Sequence, residues 1–340
     1  MFTTQSRPPL VNNFTSSSEY VRAVAISPQL PVLVSASSHQ IKIWQLDNGK
    51  LLNTLTGHTD AVRALAISPD GQTLVSGSND NTIKIWHLRS GELLNTLTDH
   101  YGSVLCLGFS PDSKTLISGS NDNSIKIWNL VDGELLRSLG CHCGSVLSVA
   151  ISPDGQTIAS GSFDNTIKIW EKSTGKMLRT LKGHSNWVAA VAIAPDGKTL
   201  VSGSSDNTLK IWQLNNGKLL RTLKGHSNWV DSIAISADGQ TIVSGSSDNT
   251  IKIWQLNNGK LLGTLSGHTG GVVCLALTPD GQTLVSGSND NTMKMWNVGS
   301  GQLLRTVSGD TNWFWSVNGK AEDVVEPDDD DSTIKLWRMR

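Results

Sequence analysis

Between Trp229 and Leu265 the chain runs through short apolar or small-residue stretches separated by polar turns. Val230, Ser232, Ala234 and Ser236 alternate with Asp231, Ile233 and Ile235, and the turn Ala237-Asp238-Gly239 follows. Thr241 to Ser244 predicts a second strand, and Ser247-Asp248-Asn249 a second turn. Thr250 to Trp254, rich in β-branched residues, predicts a third strand. Asn257-Asn258-Gly259 is a hairpin signal, and Leu261 to Leu265 predicts a fourth strand. Elsewhere the first turn reads Ser-Pro-Asp-Gly, at Ser68 to Gly71 and Ser152 to Gly155. Proline there presets φ for a turn, and glycine supplies the left-handed conformation.

This unit recurs along the chain. Histidine returns at His58, His100, His142, His184, His226 and His268. Tryptophan closes units at Trp44, Trp86, Trp128, Trp170, Trp212, Trp254, Trp296 and Trp337. A fixed period of this size marks a repeat architecture in which one unit cannot bury its own apolar faces. The strands are apolar or small on both faces, whereas a sheet with one wet face alternates more cleanly. Each small sheet is therefore expected to be covered on both sides by its neighbours. Four-stranded sheets packed face to face around an axis form a β-propeller.

The run Gly-His, then Ser-Pro-Asp-Gly, then Ser-Gly-Ser-x-Asp-Asn-Thr-Ile-Lys-Ile-Trp resembles the WD-repeat (transducin β-like) propellers, over nearly the whole chain and in six registered copies. Two copies lack the glycine, having Asp99-His100 and Cys141-His142. The residue after the tryptophan, usually aspartate in that family, is here Gln213, His87, Asn129 or Glu171. The resemblance implies a buried hydrogen-bonded His–Ser–Asp–Trp chain in each blade. The sets are His58, Ser76, Asp80 and Trp86; His100, Ser118, Asp122 and Trp128; and His142, Ser160, Asp164 and Trp170. The remaining three are His184, Ser202, Asp206 and Trp212; His226, Ser244, Asp248 and Trp254; and His268, Ser286, Asp290 and Trp296.

The two ends depart from the pattern. The first unit, Tyr20 to Trp44, has no Gly-His and carries Ser38 in place of the aspartate. The last begins Gly309-Asp310, and Asn318 to Pro327 lacks an apolar second strand. Residues 10–15 offer a strand that could pair beside Thr333 to Trp337. This reading makes residues 1–340 one all-β domain: a closed ring of eight four-stranded blades, with residues 1–19 an N-terminal segment supplying the closing strand. Seven blades is the alternative, if the worn last unit forms none.

Composition narrows the function classes. With 28 basic and 29 acidic residues there is no basic footprint for nucleic acid or an anionic membrane. Four cysteines without framework spacing fit a reducing compartment. The N-terminus lacks the basic and apolar regions of a secretory signal, and no apolar run suits a membrane helix. A soluble cytoplasmic monomer is expected. Ser, His and Asp recur six times beside a tryptophan, which speaks for a structural set and against a catalytic triad; no catalytic residues and no enzyme activity are expected. Cys141-His142-Cys143 has no second ligand cluster, and Asp328 to Asp331 lacks the spacing of a calcium loop. No metal and no cofactor are expected.

Function is sought in the residues that break the repeat. The resemblance implies a partner-binding face around the loop after Gly-His, with residues three and five after the histidine pointing there. Those positions hold Arg63, Trp187, Trp229 and Asp231, with Tyr20, Arg22, Trp313 and Trp315 as counterparts in the worn units. Phe163, before a turn aspartate, joins them. Trp, Tyr and Arg dominate binding hot spots. Trp187, Trp229, Trp313 and Trp315 are expected to be partly exposed on one face. The leading expectation is a scaffold that binds a protein or peptide there. The alternative is a carbohydrate or small-ligand module, and an enzyme using the central channel is a remote third.

Overall fold

The computed structural model describes residues 21–140, 142–308 and 315–316. The repeat folds into separate sheets, each an antiparallel meander with its strands in chain order. The first blade comprises Val21–Ile26, Val32–Ser37, Gln40–Gln45 and Leu51–Leu55. The sixth comprises Val230–Ile235, Thr241–Ser246, Thr250–Gln255 and Leu261–Ser266. The seventh comprises Val272–Leu277, Thr283–Ser288, Thr292–Asn297 and Leu303–Ser308, to which Trp315–Ser316 pairs as a short fifth strand.

The core is divided among the blade junctions, as two-sided apolar sheets require. Blades four and five share Ile167, Ile169, Leu181, Val188, Leu200 and Trp212. Blades five and six share Leu209, Ile211, Leu223, Val230, Ile242 and Trp254. One contact recurs at six of the seven seams, the exception being that of blade one on blade two, where Ala36 stands in place of the glycine. The glycine of Ser-Gly-Ser lies so close to the first valine of the next blade that an added Cβ would meet its Cγ1. The gap would be 2.6 Å at Gly77 and Val104, 2.8 Å at Gly161 and Val188, and 2.8 Å at Gly245 and Val272. Neighbouring side chains rarely give way to such an intrusion, so this glycine is needed for close approach of sheets.

The same contact closes the ring. Gly287 of blade seven faces Val21 of blade one, whose Cγ1 would lie 2.9 Å from an added Cβ. Val21, Val24, Leu33 and Trp44 share a core with Cys274, Val285, Met293, Met295 and Val307. Arg305 Nη1 also donates to the Asp47 carbonyl at 2.7 Å across this seam. The expected eight blades are thus corrected to seven: blade seven is already covered by blade one, so there is no open face for an eighth sheet to enter. The proposed closing strand, residues 10–15, and its partner around Trp337 lie outside the described residues. Trp315, expected to lead an eighth blade, instead pairs with Val307 on the outer edge of blade seven.

The meander sorts the connections onto two faces. Turns between first and second strands, and between third and fourth, lie on one. On the other, the loop leading into each blade meets the turn between its second and third strands: Asn79 N–H donates to the Ala61 carbonyl at 2.9 Å, and Ser247 N–H to that of Trp229 at 2.9 Å. The first strand of every blade is innermost and carries a bulge at its second residue. In blade six Val230 pairs with Ser246 and Ser232 with Gly245, which leaves Asp231 as the extra residue.

Closure makes a testable demand. Gly287→Val should destabilise the protein by about 1–3 kcal/mol through overpacking. Gly263, on an outer strand with nothing within 4 Å of an added Cβ, should tolerate the same change. Equal melting temperatures for the two variants would contradict closure of blade seven on blade one.

Candidate functional site

The six expected polar sets all form. In blade two Trp86 Nε1–H donates to Ser76 Oγ at 2.9 Å, Ser76 donates to His58 Nε2 at 2.8 Å, and His58 Nδ1–H donates to Asp80 Oδ2 at 2.7 Å. One direction of donation satisfies every member, because the indole only donates and the carboxylate only accepts. Blades three to seven repeat the chain within 0.1 Å: His100, His142, His184, His226 and His268 stand 2.7–2.8 Å from their aspartates. Blade one has neither the histidine nor the aspartate at the equivalent positions, and among the described residues Trp44 Nε1–H donates to Ser35 Oγ at 2.9 Å.

A further member escaped the sequence reading. Thr82 donates to Asp80 Oδ1 through its hydroxyl at 2.7 Å and its N–H at 2.9 Å, while Thr59 N–H donates to Oδ2 at 3.0 Å. The same hydroxyl is supplied by Ser124, Thr166, Thr208, Thr250 and Thr292. Its signal was the third residue of Asp-Asn-Thr, which reads as a plain strand start.

This geometry bears on the chemistry. Ser76, Ser118, Ser160, Ser202, Ser244 and Ser286 are wholly buried, so a substrate has no path to them. Both nitrogens of His142 are engaged, by Asp164 and Ser160, which leaves none to ligate a metal. Among the described residues no three His, Cys, Asp or Glu side chains cluster as a metal would need. Burial pushes the pKa of His58, His100, His142 and His226 below the usual imidazole value against the pull of their aspartates. Burial pushes Asp122 and Asp248 upward, but the hydrogen bonds they accept outweigh it and hold both at about 2.

The residues that break the repeat fall into two groups on the loop face. The first is an aromatic arc over blades four to six. The Phe163 and Trp187 rings lie 4.0 Å apart between centroids, and those of Trp187 and Trp229 5.6 Å, each pair tilted. Phe163 is 37% exposed and Trp229 43% exposed, while Trp187 between them is half-buried. Tyr101, directly after His100, is 91% exposed in blade three; it broke the repeat one residue after the histidine, a position the sequence reading passed over. Tyr20 and Trp313 lie outside the described residues.

The second group rings the central channel. The seven bulge residues are Arg22, Arg63, Leu105, Leu147, Ala189, Asp231 and Val273, all half-buried. A bulge re-aims one side chain without disturbing the ladder on either side. Asp231 accepts from Ser247 Oγ at 2.6 Å; burial pushes its carboxyl up to about 6, and Asp248 adds to the rise.

Two predictions follow from the buried sets. Asp248→Ala should cost about 1–3 kcal/mol by leaving buried donors without an acceptor, whereas Glu134→Ala on the exposed rim should change little; equal melting temperatures would refute the assignment. Stability should also fall with acid. The lowered histidine and aspartate pKa values mean that the unfolded chain binds more protons. Melting temperature should therefore drop first below about pH 6.5, from the histidines, and again between about 3.8 and 2, from Asp122 and Asp248. Asp231, raised to about 6, works in the opposite sense between about 4 and 6. Asp231→Asn should thus raise stability at pH 7 and steepen the loss toward pH 4 in a calorimetric series.

A family model described as WDR3 second beta-propeller domain matches residues 20–303. Among curated proteins none matches this chain. The matched span covers blades one to six, blade seven up to the start of its fourth strand, and all six relays, and the chain belongs to the WD-repeat β-propeller family.

Proposed function

We propose that this propeller is a non-catalytic binding module that takes a protein or peptide segment across its loop face. The observation that supports this most is the contiguous Phe163–Trp187–Trp229 arc, exposed at both ends. The blade needs none of these rings: the position of Trp187 and Trp229 holds Ala61, Ser103 and Ser145 elsewhere in the repeat. Aromatic rings in an exposed patch contribute disproportionately to association. Cys106, Cys143 and Cys274 are free thiols, which suits a reducing compartment, and we place the module in the cytoplasm.

The test selects peptides from a displayed library on the purified chain and runs a glycan array in parallel. Selected peptides should lose roughly thirtyfold in affinity, about 2 kcal/mol, on Trp187→Ala combined with Trp229→Ala, with the melting temperature nearly kept. Trp254→Ala, whose ring is 2% exposed, should instead cost about 3–5 kcal/mol of stability. Binding to glycans alone, or peptide affinity indifferent to the double variant, would overturn the proposal.

A further inference from the structure

The outer rim of the ring is built from the fourth strands, and one of them differs from the rest in charge. Blades one to six each end in a strand that is hydrogen-bonded to a neighbour on one side only among the described residues. In blade five that strand is Leu219–Lys224. Lys218, Arg221 and Lys224 are exposed along it, and no Asp or Glu occurs from Thr208 to Gly225. Lys210 of the third strand brings a further ammonium to the edge, donating to Thr222 Oγ1 at 2.9 Å. The edges of blades two and three, by contrast, begin beside Glu92 and Glu134. Among the described residues Lys218, Arg221 and Lys224 make no ion pair; the pairs found there join histidine to aspartate. Leu219 and Leu220, 40% and 47% exposed, give the same edge an apolar stretch.

Blade seven shows what such an edge accepts. Its fourth strand, Leu303–Ser308, takes Trp315–Ser316 as an antiparallel fifth strand, with Thr306 opposite Ser316 and Val307 opposite Trp315. Thr222 and Leu223 hold the equivalent positions in blade five. Leu303 and Leu304 are half-buried, whereas their counterparts Leu219 and Leu220 are exposed. A free edge offers a row of backbone N–H and C=O groups to an extended chain. Cations along it repel a second copy of the same edge and attract a strand that bears carboxylates. Arg221 and Lys224 fall on opposite faces of the sheet by strand alternation, so acids on either face of an added strand meet a cation. We infer that the outer edge of blade five docks an extended acidic segment of a partner protein. The segment adds as a fifth antiparallel strand, with its carboxylates against Arg221 and Lys224.

The test uses the full chain and an acetylated, amidated peptide of alternating Glu and Val, about eight residues long. The peptide should bind and slow amide hydrogen exchange across Leu219–Lys224, while the edge of blade two, Leu93–Leu97, exchanges as before. Arg221→Glu combined with Lys224→Glu should weaken binding roughly tenfold or more. Both side chains are exposed, so the melting temperature should be kept; Arg221→Gln with Lys224→Gln serves as a milder second pair. The same peptide with every backbone nitrogen methylated keeps its carboxylates but has no N–H to donate, and should also bind roughly tenfold more weakly or worse. Trp187→Ala combined with Trp229→Ala should leave this binding unchanged, which separates the edge from the loop face. A single-stranded oligonucleotide is run in parallel. Full affinity of the methylated peptide, indifference to the charge-reversed pair, or protection confined to other blades would overturn the inference. So would binding of the oligonucleotide alone, or no binding of the acidic peptide.

Discussion

A four-stranded sheet with apolar side chains on both faces has to be covered twice, and every copy in this chain has that character. Stacking in a line would leave two faces open to water, whereas bending the stack into a ring covers all of them. What lets the ring close is a close approach: the glycine of each Ser-Gly-Ser admits the first valine of the next blade, from Gly77 and Val104 round to Gly287 and Val21. Blade one is the exception and carries Ala36, wholly buried in a core shared with Val62. The tryptophans, the divided core and the placement of the loops all depend on sheets held at that distance.

Close packing alone would give a greasy stack without a defined loop geometry. The Trp–Ser–His–Asp relays tie the third strand, the second strand, the leading loop and the following turn of a blade together through the sheet. A fully satisfied buried polar chain specifies its partners more sharply than apolar contact does. Blade one shows the consequence of losing it. There the turn shrinks to Ser38-His39, Ser38 sits at φ +47°, and its carbonyl accepts from Val62 N–H of blade two at 2.7 Å.

The regular parts of the unit build the frame, and the irregular parts provide its chemistry. Two positions vary while the strand pairing of the blade stays the same: the residue three after the histidine, and the bulge residue two further on. Large or charged side chains there cost the fold something. Asp231 is pushed toward neutrality, and Arg63 is desolvated. Sites of function commonly carry such local disfavour, sustained by the stability of the scaffold around them.

Much of this is legible in the sequence. Spacing of the Gly-His and Trp residues determined the repeat, the four strands of each unit and the turns between them, because periodicity and turn chemistry are local properties. The six relays were legible through resemblance and were fully formed. The blade count was not. Local patterns count units, but closure depends on whether the face of one sheet meets another across more than 250 residues, as Cys274 and Gly287 meet Val21. Arg22, Arg63 and Asp231 could be singled out as departures from the repeat; that they share a bulge around one channel mouth could not, because a bulge is a mismatch between two paired strands and has no signature in either alone. Likewise Phe163 and Trp187 come from different units, and only the packing of blade four against blade five brings their rings to 4.0 Å.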